Sequence, residues 1–133
     1  MRAIKFRGRR TSDRKWIYGD LKKLEPFGFF IHGYDGEFCL NFGVDTETVG
    51  QFTGLCDKNG KEIYEGDILR WDVNNLLYVV TFESGMFYAS IKECNEGMIG
   101  GFPLHRLTEY DYGKCEIVGN IHDNPELLKG GEQ

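Results

Sequence analysis

The chain has 133 residues, with 41% hydrophobic and 14% aromatic side chains, a composition that excludes a disordered chain and sets the expectation of one domain with a core of its own. Its formal charge is −5, but residues 1–23 hold nine basic groups against two acids (+7), while the rest of the chain holds seven basic and nineteen acidic groups (−12). No stretch approaches the roughly 18 apolar residues of a membrane span, and the charged start "MRAIKFRGRR" has no apolar run of signal-peptide length; the expectations are no membrane partner and a cytoplasmic location.

In chain order, "MRAIKFRG" alternates Ile4 and Phe6 with Lys5 and Arg7, the pattern of a half-buried strand. "RRTSDRK" is a polar turn, and "WIYGDL" (16–21) is a second strand with Trp16 and Tyr18 on one face and Ile17 on the other. Together they predict a β-hairpin extension with a basic tip. Residues 24–43 read as two or three strands broken at Glu25-Pro26, Gly33 and Asp35-Gly36, the last a two-residue type I′ hairpin signal. In "VDTETVGQ" (44–51), Asp45 or Thr46 caps a short helical turn that Gly50 ends. Extended structure resumes at "FTGLCD" (52–57).

Asn59-Gly60 and Glu65-Gly66 then turn the chain twice before "DILRWDV" (67–73), with Ile68 on one face and Leu69 and Trp71 on the other. Asn74-Asn75 leads back into "LLYVVTFE", and Ser84-Gly85 into "MFYASI". Residues 67–91 are thus expected to form a three-stranded antiparallel meander with two-residue turns. "KECNEGMIGGFP" (92–103) reads as a glycine-rich loop or flap, 104–110 as one short helical or extended turn, and "KCEIVGNI" (114–121) as a closing strand. In "DNPELLKGG", Asn124 caps a helical turn, Pro125 occupies its first position and Gly130 stops it. The expectation is a mostly β chain of eight or nine short strands, curled into a small antiparallel SH3-like barrel or meander over 44–130 behind the basic hairpin of 1–23.

Chemistry-bearing patterns are sparse. Cys39, Cys56, Cys94 and Cys115 form no CxxC pair, and His32, His105 and His122 are scattered, so zinc spacing is missing and the expectation is free thiols. There is no nucleophile elbow, and no cysteine lies near a histidine in sequence. "GMIGG" lacks the Lys-Ser/Thr and the strand–loop–helix setting of a phosphate loop. Asp57, Glu62, Glu65 and Asp67 cluster, with Asp45 and Glu47 before them. Read as a calcium loop from Asp57, however, position five is Lys61 and position twelve Ile68, and a lysine repels the ion. These acids read as turn residues, and catalytic residues, metal and cofactor are each expected to be none. His122-Asp123, at a strand end, is a candidate general base outweighed by a surface-polar role. The surplus of aromatics is assigned to core packing and subunit contacts.

Three blocks, "IKFRG…WIYGDL", "VDTETVGQFTGLCDKNGKEIYEGDILRW" and "EIVGNIHDNPELL", resemble the YopX family, small proteins encoded mostly by phages and prophages. Thr46 stands where the family often has proline. The family signature falls on Asp57, Asn59, Gly60, Tyr64, Gly66 and Asp67. The resemblance implies a mostly β domain that assembles with copies of itself, with no established activity, cofactor or catalytic residue to transfer. The expected function is accordingly non-enzymatic, through binding or self-assembly as a homo-oligomer, the basic hairpin facing an acidic surface of a neighbour. The alternative is an accessory nucleic-acid-binding protein contacting phosphates through Arg7, Arg9, Arg10, Arg14 and Lys15.

Overall fold

The computed structural model describes residues 3–93, 97–108 and 114–128, with backbone alone at 92–93 and 97–100. Eleven short strands and three 3-10 turns make up the described chain. They divide into two compact units, Met1–Gly54 and Leu55–Gln133.

The first unit contains β1 (Phe6–Arg9), β2 (Trp16–Leu24), β3 (Gly28–Tyr34), β4 (Cys39–Gly43) and most of β5 (Gly50–Cys56). All neighbours are antiparallel, in the order β4-β3-β2-β1-β5. The N-terminal hairpin is therefore no extension. Its first strand lies between β2 and β5, because the amphipathic pattern of "IKFRG" supplies an inner strand with a residue for each face. Ile17, Ile31, Phe42 and Val44 are buried together, with Phe6, Leu21, Phe29 and Val49 packed against them. The sheet curls far enough for the end of β1 to reach the end of β4, where Arg10 and Val44 form an isolated antiparallel bridge. Gly8 permits this closeness: a Cβ there would sit 3.0 Å from the Val44 Cβ.

Glycine also governs the middle of the sheet. Gly19 and Gly33 are directly opposite each other, and a Cβ on Gly19 would lie 2.0 Å from the His32 carbonyl oxygen. The β3–β4 connection is longer than the Asp-Gly signal predicts. Tyr34 pairs with Cys39, leaving a four-residue loop, and only Gly36 of the pair has a positive φ. The Asp35 carboxylate explains the difference. Its Oδ1 accepts the N–H groups of Glu37 (2.9 Å) and Phe38 (2.8 Å), which favours an aspartate-centred loop over a two-residue turn. Asp45 caps the 3-10 turn Thr46–Thr48, accepting the Glu47 N–H.

In the second unit, the end of β5 continues through a tight turn into β6 (Glu62–Tyr64). An antiparallel five-stranded sheet follows, in the order β10-β9-β8-β7-β11, from β7 (Asp67–Trp71), β8 (Leu77–Glu83), β9 (Met86–Glu93), β10 (Gly97–Pro103) and β11 (Cys115–Asn120). The expected meander is present. Ser84-Gly85 is a two-residue turn with both φ angles positive, as the sequence predicts. The β7–β8 turn is longer: Arg70 pairs with Leu77 and the Trp71 N–H donates to Leu76, with Asn75 at positive φ. Asn74 stabilises the longer form by accepting the Leu76 N–H and donating to the Tyr78 hydroxyl.

Three further expectations are corrected. The sheet is open, with β10 and β11 as its two ends, so the chain is not a closed barrel. The described part of the expected flap, 97–103, is a strand: β10 pairs with β9 along its length, with one register shift between Met98 and Gly100. Glycine here serves close approach, since a Cβ on Gly101 would lie 2.9 Å from the Ala89 carbonyl oxygen. Asn124 does not turn its side chain to the helical turn after it. Its Oδ1 reaches back to the Asn120 N–H (3.2 Å), and only its backbone carbonyl accepts from Leu127. The expected stop at Gly130 and the end of the 104–110 turn lie outside the described residues, as does Cys94.

Ile63, Leu69, Tyr78, Val80, Ala89, Leu104, Leu107 and Cys115 form the core of this unit. The 3-10 turn Leu104–Leu107 supplies two of them. Trp71, Tyr78 and Phe102 meet as an aromatic trio with centroids 5.3 to 6.2 Å apart. Ile68 and Leu69, on opposite faces of β7, are both fully buried, so β7 is an inner strand with no solvent face at that point.

Candidate functional site

Two groups of residues singled out in the sequence are organised in space. The first is the run of basic side chains in the N-terminal hairpin. Arg7 and Arg9 share a face of β1, and their guanidinium groups lie 4.7 and 5.6 Å from the centroid of the Trp16 ring on the facing strand. Arg7 is buried, although alternation alone would place it in water. Stacking on an indole explains part of that, because a guanidinium is weakly hydrated and planar.

Arg10 has a different role. It pairs with Asp13 in the β1–β2 turn and, at 3.0 Å, with Asp35 in the β3–β4 loop, and it lies over the Phe42 ring. The side chains of Arg10 and Asp35 are only 16% and 13% exposed. This group clasps the curled sheet beside the Arg10–Val44 bridge. The N–H groups of Phe38 and Glu37, and then Arg10, lower the Asp35 carboxyl to about 2. The Arg10 guanidinium holds the Asp13 carboxyl well below the usual range. Arg14, with a positive φ, approaches Asp45 at 3.6 Å. Lys15 is exposed, and its backbone N–H donates to Asp13. The five basic residues thus do not form one surface: Arg7 and Arg9 stack on the sheet, Arg10 is enclosed by acids, and Arg14 and Lys15 sit at the tip.

The second group is the stretch from Asp57 to Asp67. Asp57 is buried and organises the first turn. Its Oδ1 accepts the N–H groups of Asn59 and Lys61, both at 2.9 Å, while its Oδ2 accepts the Ile117 N–H of β11 at 3.0 Å. Gly60 takes the positive φ the turn needs. The second turn is fixed by Asp67, whose Oδ2 accepts the Tyr64 N–H at 2.8 Å, and the Tyr64 hydroxyl donates to Glu62. Gly66, again at positive φ, donates to the Val80 carbonyl and accepts from Ile121. All six signature residues are therefore gathered into a structural joint between the β5–β6 hairpin, β7, β8 and β11. Its carboxylates face backbone N–H groups, which is a folding role. Close by, burial first and the Asp57 carboxylate second push the Cys115 thiol up to about 11.

Among the described residues, no three His, Cys, Asp or Glu side chains gather where they could hold a metal ion. The His122-Asp123 pair sits in a turn in which the Asn120 side-chain oxygen accepts both of their backbone N–H groups.

Sequence reading missed the edge of the first unit. β4 ends its sheet. The Gly43 carbonyl, on the outer side, accepts from Thr11, so by alternation the backbone groups of Cys39 and Asn41 also point outward. Around this edge Tyr34, Phe38 and Leu40 are 65%, 57% and 51% exposed. The available signal was negative: "FCLNFG" carries no Lys, Glu or Pro to protect an edge.

No curated protein matches the chain. It is similar to the crystal structure of protein EF1440 from Enterococcus faecalis, with 25% identity and a TM-score of 0.60, over 96% of this chain and 99% of that one. The family model described as YopX protein matches residues 5–129, a span that takes in the Arg10 clasp, the Asp57–Asp67 joint and the closing Asn120 turn. With its structural joints lying inside a match that covers nearly the whole chain, the protein belongs to the YopX family.

Proposed function

We propose that the protein acts by binding rather than by catalysis, and that it assembles with copies of itself through the outer edge of β4. The observation that carries this reading is an edge strand that no described strand other than β3 pairs with at Cys39 and Asn41, with outward backbone groups there and three exposed apolar side chains around it. Two copies of β4 run antiparallel satisfy each other's backbone groups and shield Leu40 and Phe38 around a two-fold axis. The setting proposed for this activity is the cytoplasm of a bacterial cell carrying phage or prophage genes. No helix among the described residues is long and apolar enough to cross a membrane.

Light scattering across a concentration series tests the reading. The wild type is expected to form a dimer or larger species, and Leu40→Lys is expected to shift it to monomer. A wild type that stays monomeric at every concentration overturns the proposal. The nucleic-acid alternative draws less support, because Arg10 and Arg14 face Asp13, Asp35 and Asp45 within their own unit.

A further inference from the structure

The β3–β4 hairpin carries a second feature, on its face rather than its edge. His32 and Asn41 are directly opposite each other, and Cys39 lies two residues before Asn41, hence on the same face and diagonal to His32. Asn41 Oδ1 lies 2.8 Å from His32 Nδ1, and Cys39 Sγ lies 3.7 Å from His32 Nε2. An amide oxygen only accepts, so Nδ1 carries the imidazole proton and donates it to Asn41. Nε2 is then the basic nitrogen, and it faces the thiol. This is the order of nucleophile, base and orienting group that activates a cysteine. Cys39 is exposed and free.

We propose that Cys39, His32 and Asn41 form a thiol–imidazole site that undergoes reversible exchange with small disulfides. His32 Nε2 accepts the Cys39 proton. The thiolate attacks one sulfur of R–S–S–R, a Cys39–S–S–R bond forms, and the original S–S bond breaks. The departing RS⁻ takes the proton from His32, so one protein thiol and one disulfide give one mixed disulfide and one small thiol. Exchange of this kind needs an approach in line with an exposed sulfur and a proton acceptor beside the attacking thiol, and both are present. The site does not rest on the assembly reading, because edge pairing uses the backbone and leaves the sheet face open.

The other cysteines provide internal comparisons. Cys56 is exposed and free, and Cys115 is buried. The test is site-resolved mass spectrometry of the full chain during reaction with oxidised glutathione, at a concentration where light scattering gives monomer. At pH 6.5, Cys39 is expected to react about 10-fold or more faster than Cys56, the scale of assistance from a positioned base. His32→Gln is expected to bring Cys39 to the Cys56 rate. Asn41→Ala is expected to lower the Cys39 rate and alter its pH profile, with the Cys56 rate unchanged and the amide shifts of the buried Ile17 and Val44 unmoved as the check on folding of the first unit. Dithiothreitol should release the adduct. Equal rates at Cys39 and Cys56 in the wild type, or a Cys39 rate and pH profile unchanged by both substitutions, overturn the proposal. Should His32→Gln fail to fold, the wild-type rate ratio and Asn41→Ala decide the matter alone.

Discussion

Asp57 illustrates how much one side chain can organise. Its two oxygens accept three backbone N–H groups, two within its own turn and one on β11, sixty residues away in sequence. Removing the carboxylate leaves those donors unmatched in a buried setting, at about 1–3 kcal/mol for each one that water cannot reach. Asp57→Ala is therefore expected to destabilise the second unit by about 2–4 kcal/mol, and Asp57→Asn, which keeps one oxygen acceptor, by less. Urea unfolding followed by tryptophan fluorescence measures this, since Trp71 packs in that unit's core. A loss below about 0.5 kcal/mol would show the joint to be dispensable. The turn role of this residue was legible in the sequence, because an Asp two residues before Asn-Gly is turn grammar. Its bond to Ile117 was not, because no local pattern encodes which strand lies beside a turn.

At the scale of elements, the two hairpins of the first unit are joined at the Arg10 clasp. Asp13 and Asp35 are both held below their ordinary range in the folded chain, Asp35 at about 2. For groups whose folded value is depressed, the stabilising contribution is complete above the unfolded value of about 3.9 and is lost as pH falls toward the folded one. The clasp is thus expected to weaken between about pH 4 and pH 2, and to be unaffected between pH 5 and 8. Amide chemical shifts of Glu37 and Phe38 followed against pH report the Asp35 step directly, and Asp35→Asn should abolish it. A midpoint at or above 4 would contradict the pairing. Here the strands were legible from alternation and the turns from Gly, Asn and Asp. Loop lengths were not, because the Asp35 and Asn74 side chains add backbone bonds that lengthen the turn beyond what its Gly or Asn-Asn signal implies. The strand 97–103 is not legible from its sequence, because glycines such as those of "GMIGGFP" signal loop freedom as readily as close approach. At Gly101 the missing side chain instead lets the backbone come close to a neighbouring strand.

For the whole molecule, the division of charge along the sequence raised the expectation of an arm reaching for an acidic neighbour. Two of the nine basic groups in residues 1–23 are used locally, Arg10 against Asp13 and Asp35 and Arg14 against Asp45. The assembly proposed at the β4 edge would depend on backbone pairing and apolar contact, so raising salt from about 50 to about 500 mM is expected to leave such an oligomer intact, whereas contacts between exposed charges are largely screened over that range. Light scattering at the two salt concentrations makes the comparison. Dissociation at high salt would move the interface from Leu40 and Phe38 to the exposed Arg14 and Lys15.

The sequence alone determined the mostly β class, the meander of β7 to β9, a capped turn within 44–51 and membership of a family whose signature centres on "DKNGKEIYEGDILRW". These features depend on alternation, turn residues and side chains that bond within a few positions of themselves. The tertiary structure decided that the sheet of the second unit stays open, that Arg10 closes the curl of the first, that Asp57 reaches β11, and that Cys39 meets His32 and Asn41. Each of these depends on strand register, which brings together residues far apart or on facing strands through backbone pairing that no local pattern specifies. The fifteen residues of the signature look like a cluster of acids in the sequence; in the fold, Asp57 and Asp67 spend their oxygens on backbone N–H groups, and the thiol–imidazole contact of Cys39 and His32 lies on the β3–β4 hairpin instead.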